Sequence, residues 1–179
     1  DENDIGLLIS KVGDDQWREV VILAAGAAPA KTRAQLINAL LSNARRKGAN
    51  RLVFVLLAVS CLQSTIEMAQ SEQERIRHAL KQIMPPQNEE QARGLAGAGE
   101  LAVAYLSPSP GYSESETALC VRTLSLIGSD SALERIAAFA QDKRSQVVYE
   151  ILRAARVFDE EKYNHLVLSK CQPEAFEFN

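Results

Sequence analysis

Few side chains in this 179-residue chain could do covalent chemistry, and none are spaced to do it together. A zinc site needs three or four His, Cys or carboxylate ligands converging on one point. His78 and His165 are the only histidines, and neither has a second histidine three or four residues away. Cys61, Cys120 and Cys171 fall in separate segments and form no CxxC pair. His165 and Cys171 are near each other in sequence, but a Cys–His nucleophile also needs an orienting third group and an oxyanion hole. No signal for either accompanies them. The cysteines therefore read as three reduced, mostly buried thiols of a cytoplasmic protein.

Phosphate chemistry fares no better. The run Gly94-Leu95-Ala96-Gly97-Ala98-Gly99 follows no strand and fits neither GxGxxG nor GxxxxGK[ST]. It lies inside a predicted helix, where Gly94, Ala98 and Ala102 let a neighbouring helix approach closely. Glu89-Glu90 and Asp159-Glu160-Glu161 fall in first turns of predicted helices, where the helix dipole accounts for them. The sequence thus predicts no catalytic residue, no metal and no cofactor. What remains is charge at turns. Arg45, Arg46, Lys47 and Arg51 cluster at one inter-helix turn; Lys143 and Arg144 sit at another, followed by Arg153 and Arg156. Any interaction surface is assigned to Arg45, Arg46, Lys47, Arg51, Lys143 and Arg144. Nucleic acid is not the expected partner, because the chain carries a net charge of −3 and no aromatics interleave the basic residues.

The elements that must position these residues are helical. The chain has 25 Ala and 21 Leu, strong helix formers, and only 6% aromatics. Its apolar runs, Val20–Ala30 and Leu52–Leu62, are far short of the ~20 residues a membrane helix needs. Asp14 and Asp15 are placed to cap a first helix whose apolar stripe is Trp17, Val20, Val21, Ala24 and Ala28, with Trp17 buried. Pro29 stops it. A second helix spans residues 31–46, with Leu36, Leu40 and Ala44 on one face. Lys47, Gly48 and Asn50 form the next turn. Residues 51–62 are apolar nearly all round, which marks a central helix. Ser71 with Glu74, Ser113 with Glu116 and Ser131 with Glu134 each match a capping box. Asn88 is placed to cap a long helix through Tyr105, and further helices are expected over 145–158 and from Asp159 or Glu160 to 168. Phe176 and Phe178 alternate around Glu177, as at the start of a strand or of a further domain. The chain reads as a segment of a longer protein.

The last two helix pairs repeat. A shift of 30 residues superposes Val121 on Ile151, Leu124 on Ala154, Ile127 on Val157, Leu133 on Tyr163, Ile136 on Leu166 and Ala137 on Val167. Two-helix periods of roughly 30–47 residues are those of HEAT-, armadillo- and TPR-type arrays. The expected fold is all-α: an irregular HEAT-like α-solenoid of stacked antiparallel helix pairs over residues 1–171. Irregular pairs occupy 14–106, regular pairs occupy 114–170, and 172–179 form a tail or the start of a further domain. The same stripes would also build a non-repeating helical bundle.

One segment is more specific. Trp17-Arg18-Glu19-Val20-Val21-Ile22-Leu23-Ala24-Ala25-Gly26 resembles the W-x-E-V-x-x-L-A-A-G helix that follows the nucleotide-binding module of NACHT-type STAND ATPases. Phe158-Asp159 through Tyr163 to Val167-Leu168 resembles the F-D-x-x-x-Y-x-x-x-V-L that closes the helical array in bacterial members. No Walker A, Walker B or sensor motif is present, so no ATPase residue carries over. The resemblance implies a non-catalytic regulatory or sensor-side region, partnered by the adjacent ATPase module in cis and by a trigger protein, in bacterial antiphage defence. The alternative is a stand-alone HEAT-like scaffold that binds a protein.

Overall fold

The computed structural model describes residues 2–46, 51–65 and 68–171, and all its regular structure is helical among them. The expected turn residues Lys47, Gly48 and Asn50 and the tail at 172–179 lie outside the described residues. The chain divides into two compact units, residues 1–83 and 84–179.

The first unit contains α1 (Glu2–Ser10), α2 (Asp15–Ala27), α3 (Ala30–Arg45), α4 (Arg51–Gln63) and α5 (Gln70–Lys81). Helix α4 packs against α2, α3 and α5. That surrounds the helix whose sequence is apolar on every side, and Val55, Leu57, Ala58, Val59 and Cys61 are buried along it. Helix α3 presents Leu36, Leu40 and Ala44 to the core as its stripe predicts, and adds Ile37 and Leu41. Asp14 caps α2 by accepting from the Gln16 amide at 3.0 Å.

Two expectations fail in this unit. Trp17 is only half-buried, and Val20 and Leu23 are 44% and 68% exposed. The core face of α2 is Val21 and Ala25 instead: the run is apolar on more than one side, so periodicity alone could not pick the inward one. Ser71 caps nothing. Helix α5 starts one residue before it, with Ala69 at the N-cap, and Glu74 accepts from Gln70 at 3.1 Å. Helix α1 has no counterpart in the sequence reading; few of its side chains are covered, and Leu7 is 52% exposed.

The second unit stacks three pairs: α6 (Glu89–Ala96) with α7 (Glu100–Val103), α8 (Glu114–Ile127) with α9 (Asp130–Ile136), and α10 (Ser145–Ala154) with α11 (Glu160–Leu166). Helix α8 packs between α6 and α10, and α9 between α7 and α11. Each helix therefore meets the same member of the next pair. The N-caps of the second helices are Gly99, Ser129 and Asp159, one every 30 residues. Val103, Leu133 and Tyr163 follow at the same interval, and all three are buried. The 30-residue spacing of these positions thus includes the α6–α7 pair.

It was hidden because the long helix expected through Tyr105 is broken. The amides of Gly97, Ala98 and Gly99 bond the carbonyls three residues back, tightening the last turn of α6. Gly99 then adopts φ 54°, a left-handed conformation that glycine adopts readily. Gly128 plays the corresponding part after α8 at φ 69°, its amide bonding the Leu124 carbonyl at 3.1 Å. The Ser113–Glu116 capping box forms in full. The Ser131 box does not: Ser129, two residues earlier, accepts from the Ala132 amide at 3.2 Å. Helix α10 ends at Ala154 rather than Phe158. Tyr163 is fully buried, donates to the Ile151 carbonyl at 2.6 Å and stacks on Phe158 at 5.8 Å between ring centres.

Burial sets the expected cost of truncation. Leu124 is fully buried in the last turn of α8, so Leu124→Ala should lower unfolding free energy by roughly 2–5 kcal/mol. Trp17→Ala should cost no more than about half the 3–5 kcal/mol of a fully buried aromatic. Urea unfolding of both variants checks the order; a larger loss at Trp17 would contradict the burial pattern.

Candidate functional site

The second unit is held in register by acidic residues of one helix start reaching the next pair. Glu114, the first residue of α8, accepts from the Gln146 amide at 2.8 Å and from Ser145 Oγ at 3.1 Å. It supplies the cap that α10 lacks, since its own N-cap residue, Arg144, makes no side-chain cap bond. Glu100, first in α7, accepts from Ser131 on α9. Asp130, first in α9, pairs with Lys162 on α11. These carboxylates answer the positive ends of helices, and they serve neighbouring pairs as well as their own. The bonds from Ser129 and Ser131 hold the Glu100 carboxyl below its ordinary value. The Gln87 side chain, with Ser113, does the same for Glu116.

A cleft of about 690 Å³ opens over the first helices of these pairs. Its lining includes Gln87, Glu89, Leu119, Arg122, Tyr149 and Glu150. Clefts of roughly 300–1,000 Å³ suit a small molecule or a few side chains of a partner. Tyr149 is 60% exposed. Glu150 is 8% exposed; its Oε1 accepts from Arg153 at 3.2 Å and its Oε2 has no hydrogen-bond partner. Arg122 lies 3.7 Å from Glu89, and its Nε is likewise without a hydrogen bond. The sequence reading missed this site. Its trace was present in the 30-residue shift, which puts Glu150 on Cys120, a charged group at a buried register position.

The basic residues singled out from sequence lie in different units. Arg45 and Arg46 are exposed at the end of α3. Arg51, at the start of α4, donates to the Gln82 carbonyl at 3.2 Å and to Gln82 Oε1 at 3.4 Å. Lys47 lies outside the described residues. In the second unit Lys143 is exposed. Arg144 is occupied internally: it pairs with Asp142 at 2.6 Å and donates to the Tyr112 carbonyl at 3.1 Å and Thr117 Oγ1 at 3.0 Å. Its guanidinium holds the Asp142 carboxyl below its ordinary value. Arg144 ties the loop before α8 to the loop before α10.

The thiols show no sign of activation. Burial pushes Cys61 and Cys120 up to about 12, with Glu116 adding to the shift at Cys120, so neither is a thiolate at neutral pH. Among the described residues no group of three or more His, Cys, Asp or Glu is arranged to hold a metal, and no helix is long and apolar enough to cross a membrane. No protein-family model, curated protein or solved structure matches the chain. What the fold defines is an all-helical protein with stacked pairs in its second unit.

The depressed carboxyls give a pH dependence. The unfolded chain protonates its glutamates near 4.5, whereas native Glu100 and Glu116 hold out to lower pH. Their stabilisation is therefore full above the ordinary value and is lost as pH falls through the native values. Glu116→Gln should melt below the wild type at pH 7, and the gap should close on acidification from about pH 5 to 3. Melting followed by circular dichroism reads this; a gap that stays constant with pH would remove these carboxyls from the acid response.

Proposed function

We propose that residues 1–179 are a non-catalytic, HEAT-like regulatory or sensor-side region of a NACHT-type STAND ATPase, working in the cytoplasm in bacterial antiphage defence. The observation that carries this reading is the helix with the family-like motif. Val20 and Leu23, two of its motif residues, point away from the core of their own unit at 44% and 68% exposure. On this reading these two apolar side chains, one turn apart on α2, are the contact with another protein surface. In the family that the motif resembles, the preceding neighbour is the nucleotide-binding module. Stacked pairs such as α6–α11 contact mainly their neighbours, flex, and present long surfaces, which suits a region that reads a trigger and restrains an ATPase. A trigger that binds this region better in one state of the parent would shift the parent's equilibrium by that difference in affinity.

Leu23→Asp tests the reading in the parent protein. Since Leu23 is exposed, the isolated segment should keep its melting temperature, while the parent should lose trigger-dependent ATPase activation and retain nucleotide binding. Deletion of residues 1–179 should have the same effect, leaving the ATPase silent or constitutively on. Trigger-dependent activation that survives the deletion intact would reduce the segment to a spacer. A parent reading frame without a Walker A motif upstream would favour the stand-alone scaffold.

A further inference from the structure

We propose that the first unit carries a binding site for a phosphate group, built from Arg45, Arg51, Arg75 and His78. Only part of this set was visible in the sequence, because it comes from three helices. Arg45 stands in the last turn of α3, Arg51 opens α4, and Arg75 and His78 lie one turn apart on α5. All four line one cleft of about 30 Å³, together with Gln82.

The cleft gathers positive charge without an internal counter-charge. Arg75 donates to the Asn38 side-chain oxygen, and Arg51 to the backbone and side-chain oxygens of Gln82. Every one of those acceptors is neutral. Among the described residues, no carboxylate pairs with Arg45, Arg51 or Arg75. Three guanidinium groups around one cleft repel one another, and a bound anion removes that repulsion. The polar contacts also fix orientation. With its oxygen accepting from Arg51, the Gln82 amide donates through Nε2 to His78 Nε2 at 2.9 Å, which leaves Nδ1 as the ring N–H.

Size and charge select the ligand class. Roughly 10–15 Å³ on this measure holds one water, so the cleft takes an oxyanion group while a ring or chain attached to it stays outside. A phosphate brings up to about two negative charges and three acceptor oxygens, enough to engage several guanidinium forks; a carboxylate offers two oxygens and satisfies one fork. The source is a free phosphate or a phosphorylated small molecule. The site does not depend on the family reading.

The test titrates inorganic phosphate and pyrophosphate into the 179-residue chain by calorimetry, with chloride added to hold ionic strength constant. Saturable one-to-one binding is expected, weakened about tenfold or more in Arg45→Gln and Arg75→Gln, the size of one lost charge-assisted hydrogen bond. Arg75→Lys should fall between, keeping the charge and losing the fork. Arg93→Gln, which alters a 69% exposed arginine of the second unit, should bind as the wild type does. Should Arg75→Gln unfold, Arg45→Gln decides, since Arg45 is exposed. Absence of saturable binding, equal affinity in Arg45→Gln, or capture of a glutamate-rich peptide in place of pyrophosphate would overturn the assignment.

Discussion

Helices α7, α9 and α11 contain four, seven and seven residues. Isolated helices shorter than about 12–15 residues are marginal in water, so these three depend on what covers them. Each contributes one large side chain at the same register position, Val103, Leu133 or Tyr163, to a core shared with its neighbours. Their N-cap positions lie 30 residues apart, and Ser129 and Asp159 cap α9 and α11 through their side chains. In the second unit α8 packs between α6 and α10, and α9 between α7 and α11, so each pair covers part of the next. Buried residues of this unit run from Ala92 to Val167.

Apolar stacking resists slippage only weakly, because one aliphatic row fits another at several offsets. Directional contacts supply the register. The Glu114 carboxylate on the amide of Gln146, Glu100 on Ser131, and Asp130 on Lys162 each join one pair to the next. Arg144 adds a lock between loops, and the Tyr163 hydroxyl bonds the Ile151 carbonyl across the α10–α11 pair. These charged groups sit at helix ends on the surface, so they fix geometry while the apolar rows supply most of the stability. The same arrangement leaves the first-helix face open, and the cleft lined by Tyr149 and Glu150 forms there.

Part of the second unit was legible in the chain itself. The Ser113–Glu116 box, the Asn88 cap and the helix start at Asp159 or Glu160 all describe the folded molecule, because local hydrogen bonds and 3.6-residue periodicity act over short distances. Failures came where competing local solutions differ little in energy. Ser129 and Ser131 both offer a hydroxyl near one helix start, and the backbone chose the earlier. Gly97 and Gly99 could continue a helix or break it, and breaking it places Ala98 and Ala102 in the core. On α2 the surplus of apolar residues concealed which face turns outward. The candidate sites were least legible, since Arg75 and His78 join Arg45 only through the packing of α5 near α3 and α4, and Glu150 meets Gln87 and Arg122 only through stacking. A sequence read along its length does not show such meetings.

The dependence of each pair on the one before it is tested most directly by amide hydrogen exchange in Glu114→Ala. The carboxylate that caps α10 belongs to α8, so its removal should raise exchange at Gln146 and the rest of the first turn of α10. Protection in the interior of α8, around Val121 and Leu124, should be retained. Unchanged exchange at Gln146, or loss of protection confined to the first turn of α8 itself, would contradict capping between pairs and leave the helices as independently terminated elements of a bundle.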